Sequence, residues 1–325
     1  MTTVSGTETD ARGAAELLEQ ATSVTVVCHV NPDADALGSA LALGTALRRR
    51  GTPVQVAFAD PAETPESLRT LPGGDLLVAP GEVSHEVDVL VVVDCGSAGR
   101  MGALRDRMSG AREVLVVDHH VSNARFGSIN LVDGAAESTT VLVCEVLDAW
   151  GVPLDRDLAH CLYAGLVTDT ASFRWARPAT HELAARLLAT GIDPVDVSRP
   201  LMDTHPFGWL GMLASVLGSA GLHREAAGGL GLAHAVVRCS DREGMRAEET
   251  ESVVDLVRTA SEAEVAAVLK EGPPRQWSVS LRAKSVVDVS AVAALLGGGG
   301  HRRSAGYTAR GSSEDVLAAL RTALG

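Results

Sequence analysis

The triplet Asp118-His119-His120 directly follows the apolar run Val114-Leu115-Val116-Val117. An acid and two imidazoles where a buried strand meets solvent add little to packing, and each can bind a metal ion or a proton. Two more apolar runs end in the same kind of group. Val24-Thr25-Val26-Val27 leads into Cys28-His29-Val30-Asn31-Pro32-Asp33-Ala34-Asp35, and residues 89–93 lead into Asp94-Cys95-Gly96. Asp169 lies just past a further apolar stretch, in Gly165-Leu166-Val167-Thr168-Asp169-Thr170. Taken singly, Asp35 can cap a helix, Asp94 can cap or stay solvated, and Asp169 can be a loop carboxylate. Taken together, His29, Asp33, Asp35, Asp94, His119 and Asp169, with Asp118 and His120 beside them, are too many donors for one ion and suit two. An oxygen-rich set favours Mn²⁺ or Mg²⁺ over a thiolate-bound zinc, and imidazole tilts that choice toward Mn²⁺. Two ions roughly 3.5–4 Å apart hydrolyse phosphate esters, one side activating water while both stabilise the charge of in-line displacement.

Two other readings of the first turn fail. A dinucleotide-binding turn would carry glycines rather than carboxylates, which repel phosphate unless cations sit between them. A calcium loop of the EF-hand kind would need acids where Leu37 and Gly44 stand.

The elements that must position these groups read as alternating strands and helices. Strand runs at residues 24–27, 54–58, 89–93 and 114–117 alternate with amphipathic stretches, the pattern of βαβ units and a parallel sheet. Strands of such a sheet share one carboxyl edge, so acids leaving three of them converge there. A helix is predicted over 36–50, with three arginines in its last turn and Gly51 as its stop. Others are predicted over 139–150, 157–167 and 181–189. The pattern then changes: a loop and connecting helix over 191–220, a hairpin-like pair at 221–225 and 231–237, a helix near 248–259, strands near 264–269 and 277–282, and helices over 289–296 and 313–324. The expected organisation is a flexible N-terminus at 1–12, a parallel-sheet domain at 13–190, a linker at 191–220 and a smaller α+β domain at 221–325.

At 325 residues the chain fits two domains, or one large one, and 46% hydrophobic content supports a well-packed protein. Its start is polar, without the basic and apolar regions of a signal peptide, and no run of apolar residues is long enough to span a bilayer. The expectation is a cytoplasmic protein without a membrane partner. Cys28, Cys95, Cys144, Cys161 and Cys239 form no CxxC pair and read as buried small hydrophobes in a reducing compartment. The net charge of −13 argues against long nucleic acid as a substrate, because tracking a polyanion needs a basic groove. Small anionic substrates remain compatible with it.

The second half carries its own signal, Gly297-Gly298-Gly299-Gly300-His301-Arg302-Arg303. Four glycines allow close backbone approach, so N–H groups can align on an anion while His301 adds a donor. A plain flexible linker would more usually continue in Ser or Thr. Arg282 and Lys284 lie just upstream, so a local basic patch can form in an acidic chain; Arg302 and Arg303 fit that patch or a solvated surface equally well.

Five motifs in this order resemble the DHH phosphoesterases: residues 29–39 (His29 to Ser39), Val93-Asp94-Cys95, Asp118-His119-His120, Thr168-Asp169-Thr170, and Gly298-Gly299-Gly300-His301 with Ala305-Gly306. The last is similar to the GGGH motif of the smaller DHH-associated domain. The resemblance implies a five-stranded parallel-sheet DHH domain with helices on both faces, linked to a smaller α+β DHH-associated domain, with the active site in the cleft between lobes. It implies His29, Asp33 and Asp94 on a first Mn²⁺, and Asp35, Asp94, His119 and Asp169 on a second, with Asp94 bridging. It further implies catalytic roles for Asp94, His120 facing the scissile phosphate, and Asp118 orienting the site from behind. Arg282, Lys284, Gly298, Gly299, Gly300 and His301 would bind substrate, although Ala283 stands where the family often has Ser.

The compact two-lobe form is similar to the oligoribonuclease (nanoRNase) and pAp phosphatase group. That branch implies a Mn²⁺-dependent hydrolase, Mg²⁺ being the other candidate ion, that cleaves pApA, pGpG and nanoRNA to mononucleotides and dephosphorylates pAp to AMP. A homodimer is the partner the family suggests. The alternatives are a cyclic-di-AMP phosphodiesterase, a single-strand exonuclease, and a non-catalytic nucleotide-binding regulator.

Overall fold

The computed structural model describes residues 6–272 and 275–325. The chain divides into two compact units, Met1–Thr204 and His205–Gly325. The first contains β1 (Thr7–Glu8), α1 (Ala11–Gln20), β2 (Val24–Val27), α2 (Ala34–Arg49), β3 (Val54–Ala57), β4 (Val87–Val93), β5 (Ala111–Asp118), β6 (Ile129–Val132), α3 (Thr139–Ala149), α4 (Arg156–Asp169), α5 (Pro178–Leu188) and α6 (Pro194–Met202). Its sheet has six strands in the order β1-β6-β5-β4-β2-β3, and every pair is parallel.

That is one strand more than the five the family resemblance implies. The extra one is the two-residue β1, whose backbone pairs with Ile129 and Asn130 of β6. Of the N-terminal segment expected to be flexible, residues 1–5 lie outside the described residues, while the rest forms β1 and the start of α1.

Both faces of the sheet are covered, which is why its strands read as unbroken valine-rich runs rather than alternating ones. Val24, Val26, Val89, Val91, Val93, Leu115 and Val117 pack with the apolar faces of α1 to α4. The opposite side chains, among them Val27, Leu90, Val92, Val114 and Val116, pack with Met101 and Leu104. Those two come from the 3₁₀ segment Ala98–Gly110, so the second face carries short turns of helix rather than long ones.

Helix α2 is buried from Ala34 to Leu47. It starts where the Asp33 side chain accepts the Ala36 N–H at 2.9 Å, so the cap is Asp33 and not Asp35. It ends with Arg48 and Arg49 in its last turn and Gly51 at φ 85°. Helix α4 crosses it at close range because α4 has no side chain at Gly165 and α2 none at Gly38. A Cβ on Gly38 would lie 2.5 Å from the Cys161 carbonyl oxygen. Helix α4 runs on to Asp169 itself, two residues beyond the predicted end. It then breaks into a left-handed turn, with Ala171, Ser172 and Phe173 at φ 50°, 58° and 64°. The Thr170 hydroxyl holds this break, donating to the Leu166 carbonyl at 2.7 Å and accepting the Phe173 N–H at 3.0 Å.

The second unit contains α7 (Gly208–Gly218), β7 (Gly221–His223), a short turn α8 (Ala226–Gly229), β8 (Leu232–Val237), α9 (Val253–Val257), β9 (Val265–Glu271), β10 (Gln276–Ala283), α10 (Val289–Leu295), β11 (Gly299–His301), β12 (Ser304–Arg310) and α11 (Ser313–Leu324). Its sheet runs β11-β12-β10-β9-β8-β7; β8 and β9 are parallel and the other pairs antiparallel. Over the stretch read as a linker, Val197 of α6 is buried in the first core. Met212 and Val216 of α7 are buried in the second unit, against Ala233, Ala235 and Val254. Among the described residues no helix is long and apolar enough to cross a membrane.

The α2–α4 approach is directly testable. A Cβ on Gly165 would stand 2.6 Å from Asp35 Oδ1 and 2.7 Å from Asp35 Cα, with backbone on both sides unable to yield. Gly165→Ala is expected to lower unfolding free energy by about 1–3 kcal/mol, the cost of overpacking a filled interior. Gly74→Ala, where a Cβ meets nothing within 4 Å, is expected to stay within about 0.5 kcal/mol of the parent. Urea denaturation of the two variants side by side measures both.

Candidate metal and catalytic site

The register of the parallel strands builds the site. Val27 is level with Val92, and Val93 with Val117, so the same register carried two residues past Val27 and one past Val93 and Val117 puts His29, Asp94 and Asp118 in one row. Asp94 leaves its strand in the left-handed region, at φ 56°, with its N–H on the Val117 carbonyl. The start of α2 adds Asp33 and Asp35, and the last residue of α4 adds Asp169.

Two imidazoles organise the donors. His29 Nδ1 donates to its neighbour's carbonyl, Val30 O, at 2.8 Å. Its other nitrogen, Nε2, faces Asp94 Oδ2 at 3.3 Å and Asp33 Oδ2 at 3.6 Å. His119 repeats the arrangement. Nδ1 lies 3.3 Å from the Ala136 carbonyl, and Nε2 faces Asp169 Oδ2 at 3.3 Å, Asp94 Oδ1 at 3.5 Å and Asp35 Oδ2 at 3.7 Å. A carbonyl can only accept, so in both rings Nδ1 carries the proton and Nε2 turns toward carboxylate oxygens. Tying the far nitrogen to a carbonyl is how metal-binding histidines are usually oriented. The result is two donor groups, His29/Asp33/Asp94 and Asp35/Asp94/His119, sharing Asp94 and drawing in Asp169 through His119.

Electrostatics supports the same use. Asp35 is fully buried. Burial, followed by repulsion from Asp94 and Asp33, pushes its carboxyl well above the usual range. Burial works against a charged ring at His29, but Asp33 and Asp94 outweigh it and raise that imidazole to about 10. Carboxylates outnumber their counter-charges here, and the set takes up protons where it can. A divalent cation would supply the missing positive charge, so the residues present fit one. His119, by contrast, is pushed down by burial, which favours the neutral ring that ligates. Cys28 and Cys95, adjacent to two of the donors, are buried, and burial raises both thiols.

Behind this cluster the Asp118 carboxylate accepts His120 Nδ1–H at 2.7 Å and also a hydrogen bond from Asn123 Nδ2. That pins the His120 ring with Nδ1 inward and Nε2 on its opposite edge. Despite burial, the bond to Asp118 raises the His120 pKa.

Sequence reasoning missed several participants. Asn123 bridges Asp118 to the Cys95 carbonyl, at 3.0 Å from the latter. Thr139 and Thr140, at the start of α3, give their N–H groups to Asp35 at 2.7 and 2.9 Å. The Thr139 hydroxyl reaches Asp94 Oδ1 at 2.9 Å. Arg100, whose carbonyl accepts the Val30 N–H at 2.9 Å, is exposed and forms no ion pair among the described residues. Its charge nevertheless opposes protonation of His29 and His120. Neutral donors leave no charge pattern in a sequence, and Arg100 is one of 28 basic residues.

The residues expected to bind substrate lie in the second unit. Arg282, in β10, faces Asp255 Oδ1 at 3.4 Å, and Lys284 Nζ donates to the Ala260 carbonyl. The glycine run is less open than its composition suggests, because β11 takes up Gly299 to His301 and pairs with Ser304 to Gly306. A Cβ on Gly298 would stand 2.1 Å from the Gly306 carbonyl, and one on Gly300, at φ 137°, 2.6 Å from Ala305 Cα. Close strand packing thus requires glycine at those two positions.

A parallel-sheet unit that gathers carboxylates and imidazoles at one edge, followed by a smaller mixed-sheet unit, defines a hydrolase of phosphate esters. The chain belongs to the DHH family: the family's N-terminal domain matches residues 23–166 and the DHHA1 domain matches residues 229–325. It is 31% identical over 307 residues to the bifunctional oligoribonuclease and PAP phosphatase NrnA of Thermus thermophilus, covering 92% of this chain and 89% of that protein. It is 25% identical to the probable bifunctional oligoribonuclease and PAP phosphatase NrnA of Streptococcus mutans, covering 91% and 93%. Among solved structures, an exopolyphosphatase-related protein from Bacteroides fragilis shares the fold with a TM-score of 0.85 at 22% identity, over 97% of this chain and 95% of that one. The fold also matches RecJ of Thermus thermophilus in complex with Mn²⁺, with a TM-score of 0.55 at 19% identity, over 97% of this chain and 54% of that one.

The loop that delivers Thr139 is itself anchored. Glu137 accepts from Arg177 Nε at 2.6 Å and Nη2 at 2.8 Å and from the Thr180 hydroxyl at 2.7 Å, tying the start of α3 to the start of α5. Burial opposes the charge, but these bonds outweigh it and lower the Glu137 carboxyl to about 2. A carboxyl lowered by folding stabilises the protein fully above its unfolded value, and the effect is lost as pH falls toward about 2. Glu137→Gln is therefore expected to be less stable than the parent at pH 7, with the gap narrowing at pH 3. Paired urea titrations at the two pH values measure this, and a gap independent of pH would contradict the assignment.

Proposed function

We propose that this phosphoesterase is a Mn²⁺-dependent enzyme of nucleotide turnover. It cleaves short oligoribonucleotides and linear dinucleotides such as pApA, pGpG and nanoRNA to mononucleotides, and dephosphorylates pAp to AMP. The observation that carries the reading is the sharing of Asp94 between two donor groups, with one oxygen toward each histidine. The activities named for the Thermus and Streptococcus relatives support the substrate class, and the manganese bound by RecJ supports the ion. His29, Asp33 and Asp94 would hold one ion, and Asp35, Asp94, His119 and Asp169 the second. Ions so placed would activate water and neutralise charge building on the phosphate oxygens.

The remaining roles belong to side chains. His120, held by Asp118, presents Nε2 toward the scissile phosphate, where a fixed donor stabilises developing charge. Arg100 is suited to hold a non-bridging oxygen, since a guanidinium without a carboxylate partner is a ready receptor for phosphate. In the second unit, Arg282, Lys284, Gly298, Gly299, Gly300 and His301 are assigned to the nucleotide.

The deciding experiment offers pAp, pApA, pGpG, a five-nucleotide RNA and cyclic di-AMP to the purified protein with Mn²⁺. Turnover of linear dinucleotides and pAp is expected; inactivity on both rejects the proposal, and faster cleavage of the cyclic compound moves it to cyclic diesters. Asp94→Ala is expected to abolish turnover. Arg100→Ala is expected to raise KM for pAp about 10-fold or more, the worth of one charge-assisted hydrogen bond. Unchanged KM and kcat would remove Arg100 from the site.

A further inference from the structure

We propose that Thr139 is a positioning residue whose hydroxyl sets the rotation of the Asp94 carboxylate, so that one oxygen serves each donor group. The inference rests on the metal-site reading above. Asp94 sits at the end of a strand in a left-handed conformation, where the backbone alone leaves its carboxylate plane free to turn. The Thr139 hydroxyl meets Oδ1 at 2.9 Å. With Oδ1 held, Oδ2 is directed to His29 Nε2 at 3.3 Å, while Oδ1 stays 3.5 Å from His119 Nε2. A carboxylate oxygen has two lone pairs, so accepting the hydroxyl leaves one for a cation.

The place of Thr139 in its helix makes the hydroxyl available. Within a helix a threonine hydroxyl often bonds back to a carbonyl one turn earlier. Thr139 is the first residue of α3, after the Ser138 cap, and no earlier turn exists. Its side chain is fully buried. The same residue gives its N–H to Asp35 Oδ2. Thr139 therefore fixes two carboxylates at once, Asp35 through its main chain and Asp94 through its side chain. Thr140 resembles it in sequence but not in role, because its hydroxyl pairs with Ser138 Oγ at 2.6 Å.

The test is calorimetric titration of Mn²⁺ into the full-length, metal-stripped protein, with fold checked by circular dichroism. Thr139→Val keeps the shape and removes the hydroxyl; at least one Mn²⁺ is expected to bind about 10- to 100-fold more weakly, the usual effect of losing an outer hydrogen bond to a ligand. Thr139→Ser restores the donor and is expected to return affinity close to that of the parent. Equal affinity for Thr139→Val and the parent overturns the inference while leaving the metal site standing. A parent that binds no Mn²⁺ overturns the metal-site reading, and the inference with it. Should Thr139→Val not fold, Thr139→Ala supplies the same comparison.

Discussion

Carboxylates crowded into a nearly water-free corner repel one another, and this constraint governs the first unit. Asp35 and Asp94 are buried, with Asp33 and Asp169 at the rim of the same group. In a medium of low polarity such charges cannot remain together without compensation. Part of it comes from fixed dipoles: the two N–H groups of α3 on Asp35, and the Thr139 hydroxyl on Asp94. The rest must come from mobile positive charge, whether protons on His29 and Asp35 or divalent ions. A divalent ion bound there would couple its own binding to folding through this one electrostatic imbalance.

That imbalance is held in place by ordinary packing. Strand register aligns His29, Asp94 and Asp118, and the valine runs that set the register are buried on both faces. Glycines in facing helices let α4 come near enough to α2 for Asp169 to share a site with Asp35. The left-handed turn after Asp169 ends α4 at the residue whose side chain is used, a backbone conformation costly for Ala, Ser and Phe and offset by the Thr170 hydrogen bonds.

How much of this was legible depended on the kind of signal. Strands β2 to β5 announced themselves because a doubly covered strand must be apolar throughout. The acids and histidines stood out as groups a buried strand end does not need. Strand β6, Ile-Asn-Leu-Val, was hidden by Asn130, whose side chain is spent on the backbone of Gly127. β1 is too short to leave a pattern, and β11 and β12 were masked by glycine, which packing requires and composition reads as loop. The helix cap fell to Asp33 rather than Asp35, because only coordinates show which of two nearby acids reaches the Ala36 N–H. Thr139 was illegible for a deeper reason: a neutral hydroxyl acts through direction, and direction is absent from a sequence.

The two thiols beside the donors bear on which ions the chain admits. Cys28 precedes His29 and Cys95 follows Asp94, so sulfur lies one residue away from two proposed ligands. Burial keeps both as protonated thiols. Thiolate is the donor that copper and zinc prefer, and those ions otherwise outcompete manganese at most nitrogen and oxygen sites. By packing sulfur into the apolar layers and turning oxygen and imidazole to the edge, the fold presents hard donors there and keeps the soft one out of reach. Selectivity in such a site is then partly a matter of which neighbouring atoms are kept from taking part.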